Sequence, residues 1–214
     1  MGYEKKISSM HLDVLKEIGN IGAGNAATAL SVLLGKKIDM EVPTVRIVSF
    51  DEIMELSGGA DNMVVAVYLR MEGDANGNMF FILPIDQGTK YIRKMIGDDT
   101  FTFSHPPYSE MGISAMQELG NILIGSYLTS LSDFTGLHLV PSVPAISIDM
   151  AGAIISYGLL EISQTEDCAI VIETSLDENS CRNPDIVNGH FFLLLDPDSF
   201  SVLFSSVGVD IDEG

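Results

Sequence analysis

The sequence predicts a mixed α/β fold of the α+β kind. It is internally duplicated and pseudo-two-fold, with one shared, mostly antiparallel sheet and two long helices on the outside. Three observations lead there. A shift of 101 positions lays residues 12–47 on 113–148 without a gap, with 12 identities in 36 positions. Each copy opens with a long segment of helical period, capped at both ends. Strand-like runs then follow one another with no helix between them, which favours antiparallel pairing.

The first helix is expected over 9–34. Leu12, Leu15, Gly22, Ala26, Ala29, Leu30 and Leu33 share one face at 3.6-residue spacing. Ser8 or Ser9 can cap its start, and Gly35 stands where a left-handed stop is needed. The second copy places Ile113, Met116, Leu123, Ser130, Leu131 and Phe134 on the matching face, between Ser109 and Gly136. Strands are expected at 38–50, 63–70 and 79–84, then at 143–148, 152–163, 168–176 and 190–195. Helices are expected at 86–96, with Asp86 as cap and Gly97 as stop, and at 197–207 after Asp196. The layout read this way is α–β–β–β–α, twice. The whole chain, 1–214, is expected to be a single domain of two repeats, about 8–100 and 109–208, joined by the polar, proline-bearing stretch 98–109.

Composition narrows the function. The chain has 214 residues, 46% of them hydrophobic, which is ample for a core. Its net charge of −19 disfavours nucleic acid and anionic membrane, both of which need a positive field. The opening MGYEKKISSM lacks the apolar stretch of a signal peptide, and the longest apolar runs are too short to span a bilayer. Cys168 and Cys181 have no metal or redox spacing and are expected as reduced thiols in a cytoplasmic protein. His11, His105, His138 and His190 are scattered, so a metal site or a histidine-based triad is not expected.

The stretch KEIGNIGAGNAATAL (16–30) contains G-x-G-x-x-A, the outline of a dinucleotide-binding turn. That fingerprint needs a preceding strand, whereas SSMHLDVLKE has helical spacing, and the second copy replaces Gly22 with Leu123. Within one helix, Asp13, Glu17, Asn20, Gly24, Thr28 and Ser31 instead form a polar stripe opposite the apolar face. Its counterpart is Ser114, Glu118, Asn121, Gly125, Thr129 and Ser132, identical at five of six positions. Folding does not require a shared exposed face, and the buried side did diverge (Gly22/Leu123, Ala26/Tyr127).

An asparagine is neither nucleophile nor effective base, but its amide can hold a water in line with an electrophile, as the glutamine of GTPases does. A glutamate one turn away can pair with a partner's cation, and a glycine one turn further lets another surface come close. Such a pair is expected to be half of an active site, to be completed by a partner that brings the phosphoryl group and any Mg²⁺.

The residues Asp13-x₃-Glu17-x₂-Asn20-x₂₂-Pro43 and Ser114-x₃-Glu118-x₂-Asn121-x₂₂-Pro144 resemble the signature of the CheC/CheX/FliY phosphatases of bacterial chemotaxis. Two copies look like CheC or FliY, and the lack of a flagellar-rotor domain after residue 208 points to the CheC type. The resemblance covers nearly the whole chain and implies the family fold. It also implies dephosphorylation of the phospho-aspartate of the response regulator CheY. Asn20 and Asn121 would each orient the attacking water, and Glu17 and Glu118 would each pair with a CheY lysine. Asp13, Ser114, Gly24 and Gly125 would support the motif, and Pro43 and Pro144 would start strands. The protein would have no cofactor of its own, since the Mg²⁺ belongs to CheY. The resemblance further implies binding of CheD, a receptor glutamine deamidase, at SIDMAGAIIS (147–156), where Asp149 is either a contact or an N-cap. A monomer, or a one-to-one pair with CheD, is expected. The rival reading is a non-catalytic flagellar-switch or CheD-regulating module that only docks phospho-CheY. Were the two sites independent and equal, each single Asn→Ala change would keep about half the activity.

Overall fold

A computed structural model describes residues 7–42, 44–160, 168–178 and 185–207. Its elements are α1 (Ser9–Leu34), β1 (Ile38–Glu41), β2 (Val45–Ser49), α2 (Phe50–Leu56), β3 (Met63–Gly73), β4 (Gly77–Pro84) and α3 (Ile85–Ile96). The second half runs α4 (Glu110–Thr135), β5 (Leu139–Pro141), β6 (Ala145–Met150), α5 (Ala151–Leu160), β7 (Cys168–Glu178), β8 (Asp185–Leu195) and α6 (Pro197–Ser206). The order is α–β–β–α–β–β–α, twice.

The long helices form where their caps and period agree. Ser8 stands in extended conformation before α1, with its N–H donated to His11 Nδ1 at 2.9 Å. Ser109 Oγ accepts the Gly112 N–H at 3.1 Å at the start of α4. Both helices span 26 residues and stop at a left-handed glycine, Gly35 (φ 63°) and Gly136 (φ 69°), a conformation that carries a steric cost for any residue with a Cβ.

The described strands form one sheet, in the order β1-β7-β8-β4-β3-β5, with β2 also on β7 and β6 also on β3; every pairing is antiparallel. The halves exchange strands. β1 and β2 of the first pair with β7 of the second, and β5 and β6 of the second pair with β3 of the first. At the centre Phe80 pairs with Phe192, its own counterpart in the aligned segments GNMFFILP and GHFFLLLD, so the pseudo-two-fold axis passes between them.

Both faces of the sheet are covered. Val65, Val67, Leu69, Phe81, Phe191 and Leu193 face α1, α3, α4 and α6. Val64, Ala66, Phe80, Ile82, Val171 and Phe192 face α2 and α5. Strands buried on both sides read as continuous apolar runs, which is why MVVAVYL lacks alternation. Tyr127 of α4 packs against Phe191 of the sheet, and its buried hydroxyl lies 3.0 Å from Thr174 Oγ1; burial pushes that hydroxyl's pKa well above the usual tyrosine value.

Four expectations change. The strand expected at 152–163 is helix α5 as far as Leu160, and 161–167 lie outside the described residues. Ala151, Ile154 and Ile155 bury at i, i+3 and i+4 against the sheet. The run expected as one strand over 38–50 breaks into β1 and β2 and turns into α2, whose N-cap Ser49 accepts the Glu52 N–H at 3.3 Å. Helix α3 begins at Ile85 with Pro84 in the cap position, so Asp86 lies inside the first turn, where a carboxylate favours the helix dipole. Ala29 is exposed, and Leu33 and Phe134 are about half exposed, because the buried stripe at the ends of the helices runs instead through Ala26, Ala27, Leu30 and Leu34 of α1 and Tyr127, Leu128, Leu131 and Thr135 of α4. Pro43 and Cys181 lie outside the described residues; Pro144 directly precedes β6. Among the described residues no helix is long and apolar enough to cross a membrane.

Candidate active site

Residues 16–30 lie wholly inside α1. There is no strand-to-helix turn there to cradle a phosphate, and the glycines serve packing instead. A Cβ on Gly22 would stand 3.0 Å from Tyr127 Cα, so this glycine sets the close crossing of α1 and α4. Gly19 lies under Val42, and its counterpart Gly120 lies against Val67. Gly24 and Gly125 are different: a Cβ at either would meet nothing within 4 Å. Among the described residues no contact accounts for glycine at these two places.

The motif residues stand on the outer surfaces of α1 and α4. Asp13, Glu17, Asn20, Gly24 and Thr28 are exposed, as are Ser114, Glu118, Asn121 and Thr129, while Gly125 is half-buried. The stripes are not uniform along their length. Ser31 Oγ donates to the Ala27 carbonyl at 2.7 Å and accepts the Ile38 N–H at 2.9 Å, and Ser132 Oγ donates to the Leu137 carbonyl at 2.6 Å. These two serines pin the helix ends to the following chain. Their identity in the two copies is structural, contrary to the reading of the whole stripe as a shared exposed face.

The two asparagines have different surroundings. Asn20 Oδ1 accepts the Val42 N–H at 3.1 Å, tying α1 to the segment between β1 and β2. Val42 is 2% exposed, and its methyls lie 3.4 Å from where a Gly19 Cβ would stand. In the second half the corresponding tie comes from one helical turn earlier, where Gln117 Nε2 donates to the Pro144 carbonyl at 3.0 Å. Val143, the counterpart of Val42, is 86% exposed. Among the described residues Asn121 has no hydrogen-bond partner for its amide. Sequence reasoning missed Val42, Gln117 and Val143. The fixed x₂₂ interval to proline was their trace, because it sets which residue of the linker passes beside the asparagine.

Asp149 is the next-to-last residue of β6, paired with Val64, and does not cap a turn. Its carboxylate accepts the Met150 N–H at 2.8 Å. With Tyr68, Phe80, Ser147, Ala153 and Ile154 it lines a cavity of about 280 Å³ on the sheet face that carries α2 and α5, the face opposite α1 and α4. The repeat shift takes Ser147 and Ala153 to Arg46 and Glu52. There the Arg46 guanidinium pairs with Glu52 and lies 3.2 Å from Glu173, so charged side chains occupy the matching ground. Among the described residues no cluster of three or more His, Cys, Asp or Glu side chains could hold a metal ion.

This geometry can present an amide and a carboxylate together, twice, to a partner that approaches the outer helices. The CheC-like family model matches residues 10–47 and 111–148, the two copies of the motif. The chain is 48% identical over 205 residues to the CheY-P phosphatase CheC of Bacillus subtilis (strain 168), covering 96% of this chain and 97% of that one. It is 30% identical over 142 residues to the flagellar motor switch phosphatase FliY of the same organism, covering 66% of this chain and 36% of that protein. Among solved structures its fold is similar to that of Thermotoga maritima FliY, with a TM-score of 0.72, 23% identity, and coverage of 94% of this chain and 98% of that one. The duplicated motif and the near full-length likeness place the chain in the CheC-like family.

Proposed function

We propose that the chain is a protein phosphatase that hydrolyses the phospho-aspartate of CheY, with Asn20 and Asn121 each orienting the attacking water and Glu17 and Glu118 each pairing with a CheY lysine. Dephosphorylation of CheY-P is supported by the 48% identity to a phosphatase named for that reaction. The residue assignments rest on one observation above all: both Glu/Asn pairs are exposed on the outer helices, each followed one turn later by a glycine with open space above it. In the reaction the water oxygen attacks phosphorus, the bond to the aspartate oxygen breaks, and inorganic phosphate leaves. The amide holds the water by accepting from one of its O–H groups, so it contributes position rather than a proton. A Mg²⁺ to draw charge from the phosphoryl oxygens would be held by CheY, not by this chain. Asp13 and Ser114 sit one turn before the glutamates and shape that end of each stripe. The test is phosphate loss from phospho-CheY with catalytic amounts of this chain. Acceleration supports the phosphatase, and binding without acceleration identifies a docking module instead.

The open notch gives a second expectation. Gly24→Ala and Gly125→Ala should each stabilise their helix by about 0.5–1 kcal/mol, since alanine costs less helix entropy and meets no neighbour. The same methyl stands where CheY must approach, so turnover at that site should fall by about tenfold or more. Thermal unfolding and initial rates on the same samples would separate the two effects. An alanine that stabilises without slowing turnover would remove the notch from the mechanism.

CheD is assigned to the opposite face, at Asp149 and the cavity beside it. Asp149→Lys reverses a charge at its rim and is expected to weaken CheD binding by about tenfold or more, read by titration calorimetry, with an unchanged unfolding midpoint. Unaltered affinity would move CheD elsewhere.

A further inference from the structure

A single exposed valine on a protein surface is ordinary. Val143 differs from that case in three ways. Its counterpart in the first half, Val42, faces the same kind of helix from the same place in the repeat and is 2% exposed, against 86% for Val143. Its neighbours are braced on both sides. The Ser142 N–H donates to the Arg70 carbonyl at 2.8 Å while Ser142 Oγ accepts the Arg70 N–H at 3.0 Å, and the Pro144 carbonyl accepts from Gln117 at 3.0 Å. The side chain is therefore held out by a fixed backbone. The brace to Gln117 also sets this linker beside the turn of α4 that carries Glu118 and Asn121.

We propose that Val143 is an apolar anchor for phospho-CheY at the second motif, and that it sets the affinity of that site; this rests on the phosphatase reading above. A side chain presented on a rigid backbone costs little entropy when it enters a partner's pocket, and it excludes water at the edge of the polar pair. The first motif has no such anchor, because Val42 is turned into the protein and its N–H is given to Asn20. The two motifs share their polar groups and differ in what surrounds them.

The anchor contributes binding, not chemistry, so it should appear in KM and leave kcat alone. In an Asn20→Ala chain, where the second motif works alone, Val143→Ser is expected to raise KM for phospho-CheY about tenfold, the effect of exposing one buried valine, while Val143→Ile restores it. In an Asn121→Ala chain the same change should leave KM unaltered. Val32→Ser, at another valine that is 80% exposed but lies on α1, serves as the surface control. An unaltered KM in the Asn20→Ala chain, or an equal rise in both chains, overturns the proposal.

Titration with CheY carrying beryllofluoride, a phosphoryl mimic, keeps the test independent of turnover. Here Kd should rise about tenfold on Val143→Ser in the Asn20→Ala chain. A chain that binds this probe with that dependence but does not release phosphate would defeat the phosphatase reading and leave the anchor standing. Binding that is insensitive to Val143, or absent, defeats the anchor.

Discussion

With Asn20 and Asn121 both replaced by alanine, phospho-CheY is expected to lose its phosphate no faster than CheY alone, a fall of about 100-fold or more in the accelerated rate. An amide that positions a nucleophilic water is worth about that much, because a displacement of an ångström or so removes in-line attack. The fold should survive, since both side chains are exposed and the pair makes one described hydrogen bond, from Val42 to Asn20, worth about 1 kcal/mol. The single changes should be unequal. Asn20 Oδ1 already accepts the Val42 N–H on one of its two lone pairs, so turning the amide fully toward a water outside competes with that bond, while the Asn121 amide has no such rival among the described residues. A competing hydrogen bond of about 0.5–1.5 kcal/mol corresponds to about a two- to tenfold slower first site. Asn121→Ala should therefore take most of the activity and Asn20→Ala the smaller share, in place of the equal halves that independent sites would give. Initial rates of phosphate release for the three variants decide this. Equal single effects would mean that the Val42 bond opens without cost.

Gly120→Ala is expected to destabilise the protein by about 1–3 kcal/mol, lowering the unfolding midpoint by several degrees, whereas Gly19→Ala should change stability by about 1 kcal/mol or less. These glycines are counterparts in the repeat, and the sequence gives no ground for treating them differently. Their neighbours do. A Cβ at Gly120 would stand 2.5 Å from Val67 Cβ and from one of its methyls, in the middle of strand β3, which is paired along both edges and cannot withdraw without carrying the sheet with it. A Cβ at Gly19 would meet Val42 at 3.4 Å, an ordinary contact. The helix propensity gained by alanine is about 1 kcal/mol at both places, so it offsets part of the overpacking at Gly120 and is the main effect at Gly19. Urea unfolding of the two variants would check the contrast, and equal losses would contradict the close seating of α4 on β3.

The elements with agreeing local signals were legible. α1 and α4 announce themselves through serine caps, glycine stops and a 3.6-residue apolar face, and they occupy the spans those signals mark. The short helices were not. Only Phe50 of FDEIMEL falls in the expected strand 38–50, and the other six residues carry no signal strong enough to mark a helix, while GAIISYGLL, rich in apolar residues, reads as a strand until its burial at Ala151, Ile154 and Ile155 is known. The repeat itself held the missing clue, since a shift of 101 lays α5 on α2. The Glu/Asn pairs were legible because two copies could be compared. The same comparison misled at Ser31 and Ser132, where identity reflects a tether to the following loop. The difference between Val42 and Val143 depends on how each linker crosses its helix, which no local pattern encodes.

The exchange of strands between the halves has a consequence for synthesis. β1 and β2 leave the ribosome early, but Val45 must wait for Ile172 and Ile38 for Glu178, made well over a hundred residues later. Until then the two strands have unpaired edges, and the first half cannot close its own sheet. Native pairing must wait for nearly the whole chain, which makes folding slow and late in translation. The same interlacing describes how such a chain could have arisen: two identical half-length polypeptides, each lending its first two strands to the other, would form this sheet as an intertwined pair, and joining their genes would turn an encounter between molecules into a fold within one.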